Sequence, residues 1–123
     1  MKKSEVYVYI GGKYSAESMH EVELNILKAQ GMAIRCSKAG INYYCPHTHT
    51  RLMDFYVPNV PYTYWTRQDN IIIKKLCNCM LALDNWTDSP GTKAEITLCE
   101  ELDYHVFYSF INLLTWYNGL DDV

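Results

Sequence analysis

The stretch "CNCMLALDNWTDSPGTKAEITLCEEL", residues 77–102, decides how the rest of the chain is read. Its first part, "CNCMLAL", is short, apolar and does not alternate, the pattern of a strand buried on both faces. Its last part, "GTKAEITLCEEL", carries the spacing of a helix. A doubly buried strand followed at once by a helix is the unit of a parallel sheet covered on both sides.

Working outward, "EVYVYIGG" (5–12) is a β-branched and aromatic run stopped by two glycines and reads as a buried strand. Residues 18–36 carry Met19, Val22, Leu24, Ile26, Leu27, Met32 and Ile34 at largely helical spacing, with Glu21, Glu23 and Lys28 on a wet face. Gly40 marks a turn, and "INYYCP" is a second strand ended by Pro46. "HTHTRLMDFYVPNVPYTYW" has weak periodicity, and a loop of that length in a small domain is usually functional. "YTYWTRQDNIIIKKL" reads as a helix, "YHVFYS" as a strand and "FINLLTWYNGL" as a last helix with Gly119 as its stop. The alternation predicts one flavodoxin-like, three-layer α/β domain over residues 1–123, with a parallel sheet of about five strands. Ligands of such folds bind at the carboxyl ends of the strands, where strand order switches. Three segments are therefore expected in one cleft: "YIGGKYS", "PHTHT" and "DNWTDSPGTKAE".

Composition narrows the function classes. The chain has 123 residues, 49% apolar and 20% charged, with a net charge of −3. That is an ordinary globular balance with no basic footprint for a nucleic-acid polymer. No apolar run approaches the ~18 residues of a membrane span. Five cysteines, an odd number set mostly in apolar segments, and the lack of a signal peptide point to reduced thiols and a cytoplasmic protein. Tyrosine is abundant, at 11 residues, and suits a pocket or subunit interface as well as a core.

Glu95 has two readings. Thr92-x-x-Glu95 has capping-box spacing, and Ser89-Pro90 is an alternative cap followed by proline at the first helical position. Caps are the commoner role. The other reading makes Glu95 a carboxylate in the first turn, kept ionised by the helix dipole and able to attack an electrophilic carbon. Ser89, Gly91 and nearby N–H groups would then form an anion site. Asp69, before an apolar helical run, is either helix surface or a second functional acid. Asp84 and Asp88 read as loop residues. His47 and His49, near Cys45, lack the further ligand a metal site needs, so they read as pocket lining rather than a metal pair. Gly11 and Gly12, followed by Lys13, allow close backbone approach to a ligand but form no dinucleotide fingerprint.

Taken in order, "VYIGGKYS", "YYCPHTHT", "YWTRQD" and "CMLALDNWTDSPGTKAEI" resemble the nucleoside 2-deoxyribosyltransferase-like superfamily, in particular its short bacterial and phage members. The resemblance covers residues 5–108. It implies that Glu95 is the nucleophile at the sugar's anomeric carbon, that Asp69 engages the departing base, and that Tyr9, or alternatively Tyr14, orients Glu95. Ser89 stands where the transferases carry an aspartate and the related 2′-deoxynucleoside 5′-phosphate N-hydrolases a serine that touches phosphate. The implied activity is cleavage or transfer of an N-glycosidic bond, most readily hydrolysis of a 5′-monophosphate. Gly11, Gly12, Lys13, Tyr14, His47, His49, Trp86, Ser89 and Gly91 would line the substrate site. No metal or cofactor is required. A homodimer or higher homo-oligomer is expected, both from the resemblance and from the apolar excess of "FYSFINLLTWYNGL". The alternative is a nucleotide-binding or sensing module without catalysis.

Overall fold

The computed structural model describes residues 1–122. Strands are β1 (Tyr7–Gly11), β2 (Asn42–Tyr44), β3 (Cys79–Ala82) and β4 (His105–Phe107). Helices are α1 (Met19–Ala39), α2 (Pro46–His49), α3 (Met53–Tyr56), α4 (Tyr62–Lys75), α5 (Pro90–Glu101) and α6 (Phe110–Asn118). All strand pairs are parallel, and the sheet order is β2-β1-β3-β4.

The sheet has four strands among the described residues, where the sequence pattern led us to expect about five. After α6 the chain meets its own N-terminal segment through a single parallel bridge, Lys2 to Asp121, with Lys3 N–H donating to Asp121 O at 2.9 Å. One bridge does not extend into a strand.

The period-2 pleat sorts β1 and β3 onto two cores. Val8, Ile10, Cys79 and Leu81 face Ala29, Ala33 and Cys36 of α1 and Leu113 and Tyr117 of α6. Tyr9, Met80 and Ala82 face the other way, against Ile73 of α4 and Ile96 and Cys99 of α5. The three-layer reading therefore holds. All five cysteines are free and buried within these layers. Among the described residues no helix is long and apolar enough to cross a membrane.

Helix ends follow local chemistry. Ser18 caps α1 by accepting from Glu21 N–H at 3.2 Å, and Gly40, at φ 75°, ends it in the left-handed conformation that glycine tolerates best. Gly119 follows α6 at φ −82°, so that helix stops without a left-handed glycine. Much of the apolar C-terminal stretch packs inside the chain: Phe110, Leu113 and Tyr117 are buried and Phe107, Leu114, Trp116 and Leu120 pack against them, while Tyr108 and Ile111 stay exposed.

Strand order reverses at β1 and β3. The chain leaves β1 towards β2 on one side and returns to β3 on the other, which opens a crevice at the carboxyl ends of these two strands.

Candidate active site

A pocket of about 680 Å³ occupies that crevice. Of the residues singled out from sequence, Tyr9, Gly12, Lys13, Tyr14, His47, Asp69, Ser89, Gly91 and Glu95 all line it.

Three elements bring the central groups together. Tyr9 is fully buried because the β1 pleat turns it towards α4 and α5, where its ring stacks on Tyr44 at 6.1 Å between centroids. Its hydroxyl donates to Glu95 Oε2 at 2.5 Å. Asp69 reaches the same space from α4 and is half-buried.

The cap at the start of α5 is Ser89. Its Oγ accepts from Thr92 N–H at 3.1 Å and from Thr92 Oγ1 at 2.8 Å, and Pro90 takes the first helical position. Glu95 has no part in capping. Its carboxylate is spent on Tyr9 inside the pocket, so the capping-box reading of Thr92 and Glu95 gives way. The expected help from the helix dipole fails for the same reason. With Pro90 first, Glu95 lies in the second turn, beyond the range of the terminal charge. Burial dominates instead and pushes the Glu95 carboxyl up to about 7, the Tyr9 bond opposing and the nearby Asp69 adding to the rise. Burial raises Asp69 to about 6. The Tyr9 hydroxyl is pushed well above its ordinary value, first by burial and then by Glu95, so it stays a neutral donor.

Around this centre the loops are tied together. Lys13 N–H donates to Asn85 Oδ1 at 3.0 Å, joining the loops after β1 and β3. His47 Nε2 lies 3.0 Å from Lys13 O, and a carbonyl only accepts, so Nε2 carries the proton. Burial lowers the His47 pKa, which keeps the ring neutral and leaves the buried Nδ1 without a partner among the described residues. Tyr14 Oη accepts from Leu52 N–H at 3.1 Å and donates to Asp54 Oδ1 at 2.8 Å, pinning the segment between α2 and α3 over the pocket. Leu52 adopts φ 59° there.

Three expectations about lining are corrected. Gly11 lies under the pocket rather than in its wall. A Cβ there would meet Met80 Cε at 2.6 Å and Glu95 Oε1 at 3.4 Å, so its smallness serves packing beneath Glu95. Gly12 does line the pocket, but a Cβ on it would run into the Leu83 side chain, again a packing demand. His49 is not in the pocket wall; its Nδ1 lies 2.6 Å from Tyr44 Oη. Trp86 packs against Tyr108, with ring centroids 5.3 Å apart, and against the α4/α5 core.

Sequence reasoning missed most of the α4 wall. Tyr62, Trp65, Thr66 and Asn70 line the pocket beside Asp69, at the helical spacing that places them on one face. That spacing was the signal available once Asp69 had been singled out. Asp54 and Asp88 also line the pocket, the second having been read only as a loop residue. A Cβ on Gly91 would lie 2.7 Å from Tyr62 Oη, the end of an exposed side chain that can swing aside.

Chemically, the site offers a buried donor–carboxylate pair and a second carboxyl that titrates near neutrality. It also offers a helix N-terminus with one hydroxyl: Ser89 Oγ accepts twice, which leaves its own proton to donate. Among the described residues no three His, Cys, Asp or Glu side chains converge as a metal site would require. No protein-family model matches the chain, and no curated protein matches it.

Proposed function

We propose that the protein cleaves the N-glycosidic bond of a nucleotide or nucleoside, with Glu95 as nucleophile and water as the preferred acceptor. The observation that carries this reading is the 2.5 Å bond from buried Tyr9 to Glu95 in a pocket that Asp69 and Ser89 also line. The resemblance to the nucleoside 2-deoxyribosyltransferase-like superfamily supports the same roles.

The chemistry runs in two balanced steps. A Glu95 oxygen bonds to the anomeric carbon as the carbon–nitrogen bond breaks, its electron pair leaving with the base. Asp69, protonated in part of the population because burial raises it to about 6, gives its proton to the departing nitrogen. Water then attacks the same carbon and yields a proton to Asp69, and the ester bond breaks to return the Glu95 carboxylate. Tyr9 holds that carboxylate in one orientation throughout.

Ser89 and Gly91, at the start of α5, suit a 5′-phosphate, and Lys13 lines the same pocket. Asp54 and Asp88 at the same pocket oppose further negative charge, which favours a monophosphate over longer phosphate chains. The experiment is incubation with a panel of nucleosides and 5′-monophosphates, followed by chromatography of released base. Wild type is expected to release base and Glu95→Ala to release none. Binding without release, unchanged in Glu95→Gln, would replace catalysis with the sensing module.

A further inference from the structure

The charges around the pocket bear on what kind of ring departs in the proposed reaction. Four carboxyl groups line the pocket, those of Asp54, Asp69, Asp88 and Glu95, against one cation, Lys13. None of the four is in an ion pair among the described residues, whose ion pairs all lie elsewhere. Glu95 is held by Tyr9 and Asp54 by Tyr14, two neutral hydroxyl donors that leave a carboxylate charge uncompensated.

The aromatic wall has the same preference. Trp65, Tyr62 and Tyr14 line the pocket. A cation over such rings, and over tryptophan most of all, is attracted by their negative faces. Among the described residues no side chain takes that place: Lys3, Arg35 and Arg67 lie over Tyr117, Phe110 and Tyr64 instead. His47 adds a buried, unpartnered Nδ1 acceptor in the pocket wall, which suits an N–H donor on the same ligand. A neutral base leaves the carboxylates unbalanced. A positively charged ring meets both them and the aromatic faces, and it offsets the charge of a 5′-phosphate at Ser89.

We propose that the preferred substrate is the N-glycoside of a positively charged aromatic heterocycle, of the pyridinium or 7-alkylpurinium kind. The proposal rests on Glu95 being the nucleophile. A Glu95 oxygen bonds to the anomeric carbon as the carbon–nitrogen bond breaks, and the electron pair settles on the ring nitrogen and cancels the charge of the ring. The ring leaves neutral, so its departure needs no proton. Water then attacks the same carbon, its proton passes to Asp69 and on to solvent, and the ester bond breaks to return the Glu95 carboxylate. Asp69 acts here only as a base. Activity on such a ring should therefore rise as Glu95 ionises near pH 7 and hold above it, where a neutral base loses its proton donor.

Two measurements on the full chain test this. Isothermal titration calorimetry compares 1-methylnicotinamide, a cation, with nicotinamide, its neutral counterpart, at pH 8, where Asp69 at about 6 and Glu95 at about 7 are ionised. The cation is expected to bind about tenfold tighter, and Asp54→Asn/Asp88→Asn and Trp65→Leu should each shrink that ratio several-fold. Base release is then followed from ribosides and 2′-deoxyribosides, with and without a 5′-phosphate, of nicotinamide and 7-methylguanine and of the neutral nucleobases, each corrected for its uncatalysed rate. The cationic rings are expected to exceed the neutral ones by about tenfold or more in kcat/KM. Equal binding of cation and neutral ring, or a binding ratio unchanged in both variants, overturns the proposal. Faster release of neutral bases than of either cationic ring overturns it too, and leaves the Glu95 reaction standing. Release of nothing from the whole panel overturns both.

Discussion

Replacing Tyr9 by phenylalanine removes one oxygen atom and little else. The ring keeps its place on Tyr44 and in the α4/α5 core, and the hydroxyl's bond in the structure is the one to Glu95 Oε2, at 2.5 Å. A hydrogen bond to a charged acceptor contributes about 1.5–3 kcal/mol. That bond favours the ionised carboxylate, so losing it raises the Glu95 pKa from its value of about 7. At about 1.4 kcal/mol per unit, the rise is about one to two units. In the proposed reaction Glu95 attacks only when ionised. Below pH 6.5 the variant should therefore lose about 10–100-fold in kcat/KM, and above about pH 9 both proteins hold an ionised Glu95 and the loss should close. The assay is base release against pH for both proteins on one substrate. A loss of the same size at every pH would mean that Tyr9 does not act through Glu95 ionisation. No loss at low pH would remove Tyr9 from the mechanism altogether.

Other outcomes follow from the same centre. If the proposed reaction holds, wild-type kcat/KM should peak between about pH 6 and 7, bracketed by Asp69 at about 6 and Glu95 at about 7, with the competent form (Glu95 ionised, Asp69 protonated) only about a twentieth of the protein. Glu95→Gln should trade activity for stability. Burial raises the folded pKa from 4.5 to about 7, so the native state is favoured while Glu95 is protonated and loses that advantage as pH rises through this window. Thermal melts at pH 8 should therefore show the variant more stable by up to about 2–3 kcal/mol, and melts at pH 4 should show the gap closed. Ser89→Ala removes the acceptor of both Thr92 bonds and should cost about 0.5–2 kcal/mol in denaturant titration. In kinetics it should raise KM for 5′-monophosphates and leave nucleosides nearly unchanged.

The sequence by itself determined the class of fold and the order of its four strands and four longer helices, but it read as a loop the segment that holds the short helices α2 and α3. The unalternating "CNCMLAL" requires cover on both faces, Ser89-Pro90 marks a helix start and Gly40 a turn, because each of these preferences acts within a few residues of backbone. It also singled out Glu95, Asp69 and Ser89, and the resemblance added Tyr9, with Tyr14 as the alternative. What it could not decide was which of two local chemistries Glu95 obeys, since Thr92 and Ser89 both have cap spacing. That was settled by a partner 86 residues away, Tyr9. The partnership depends on the pleat turning Tyr9, and not Val8 or Ile10, towards α5, and on the register that sets Tyr9 beside Met80. The same limit explains the misses. Gly11 and Gly12 looked like room for a ligand, but their small size is demanded by Met80 and Leu83. His49 and Trp86 sat among site residues in the chain yet turned to Tyr44 and Tyr108. Side chains are sorted between pocket and core by contacts across the sheet, and those contacts exist only once parallel strands distant in sequence have come into register.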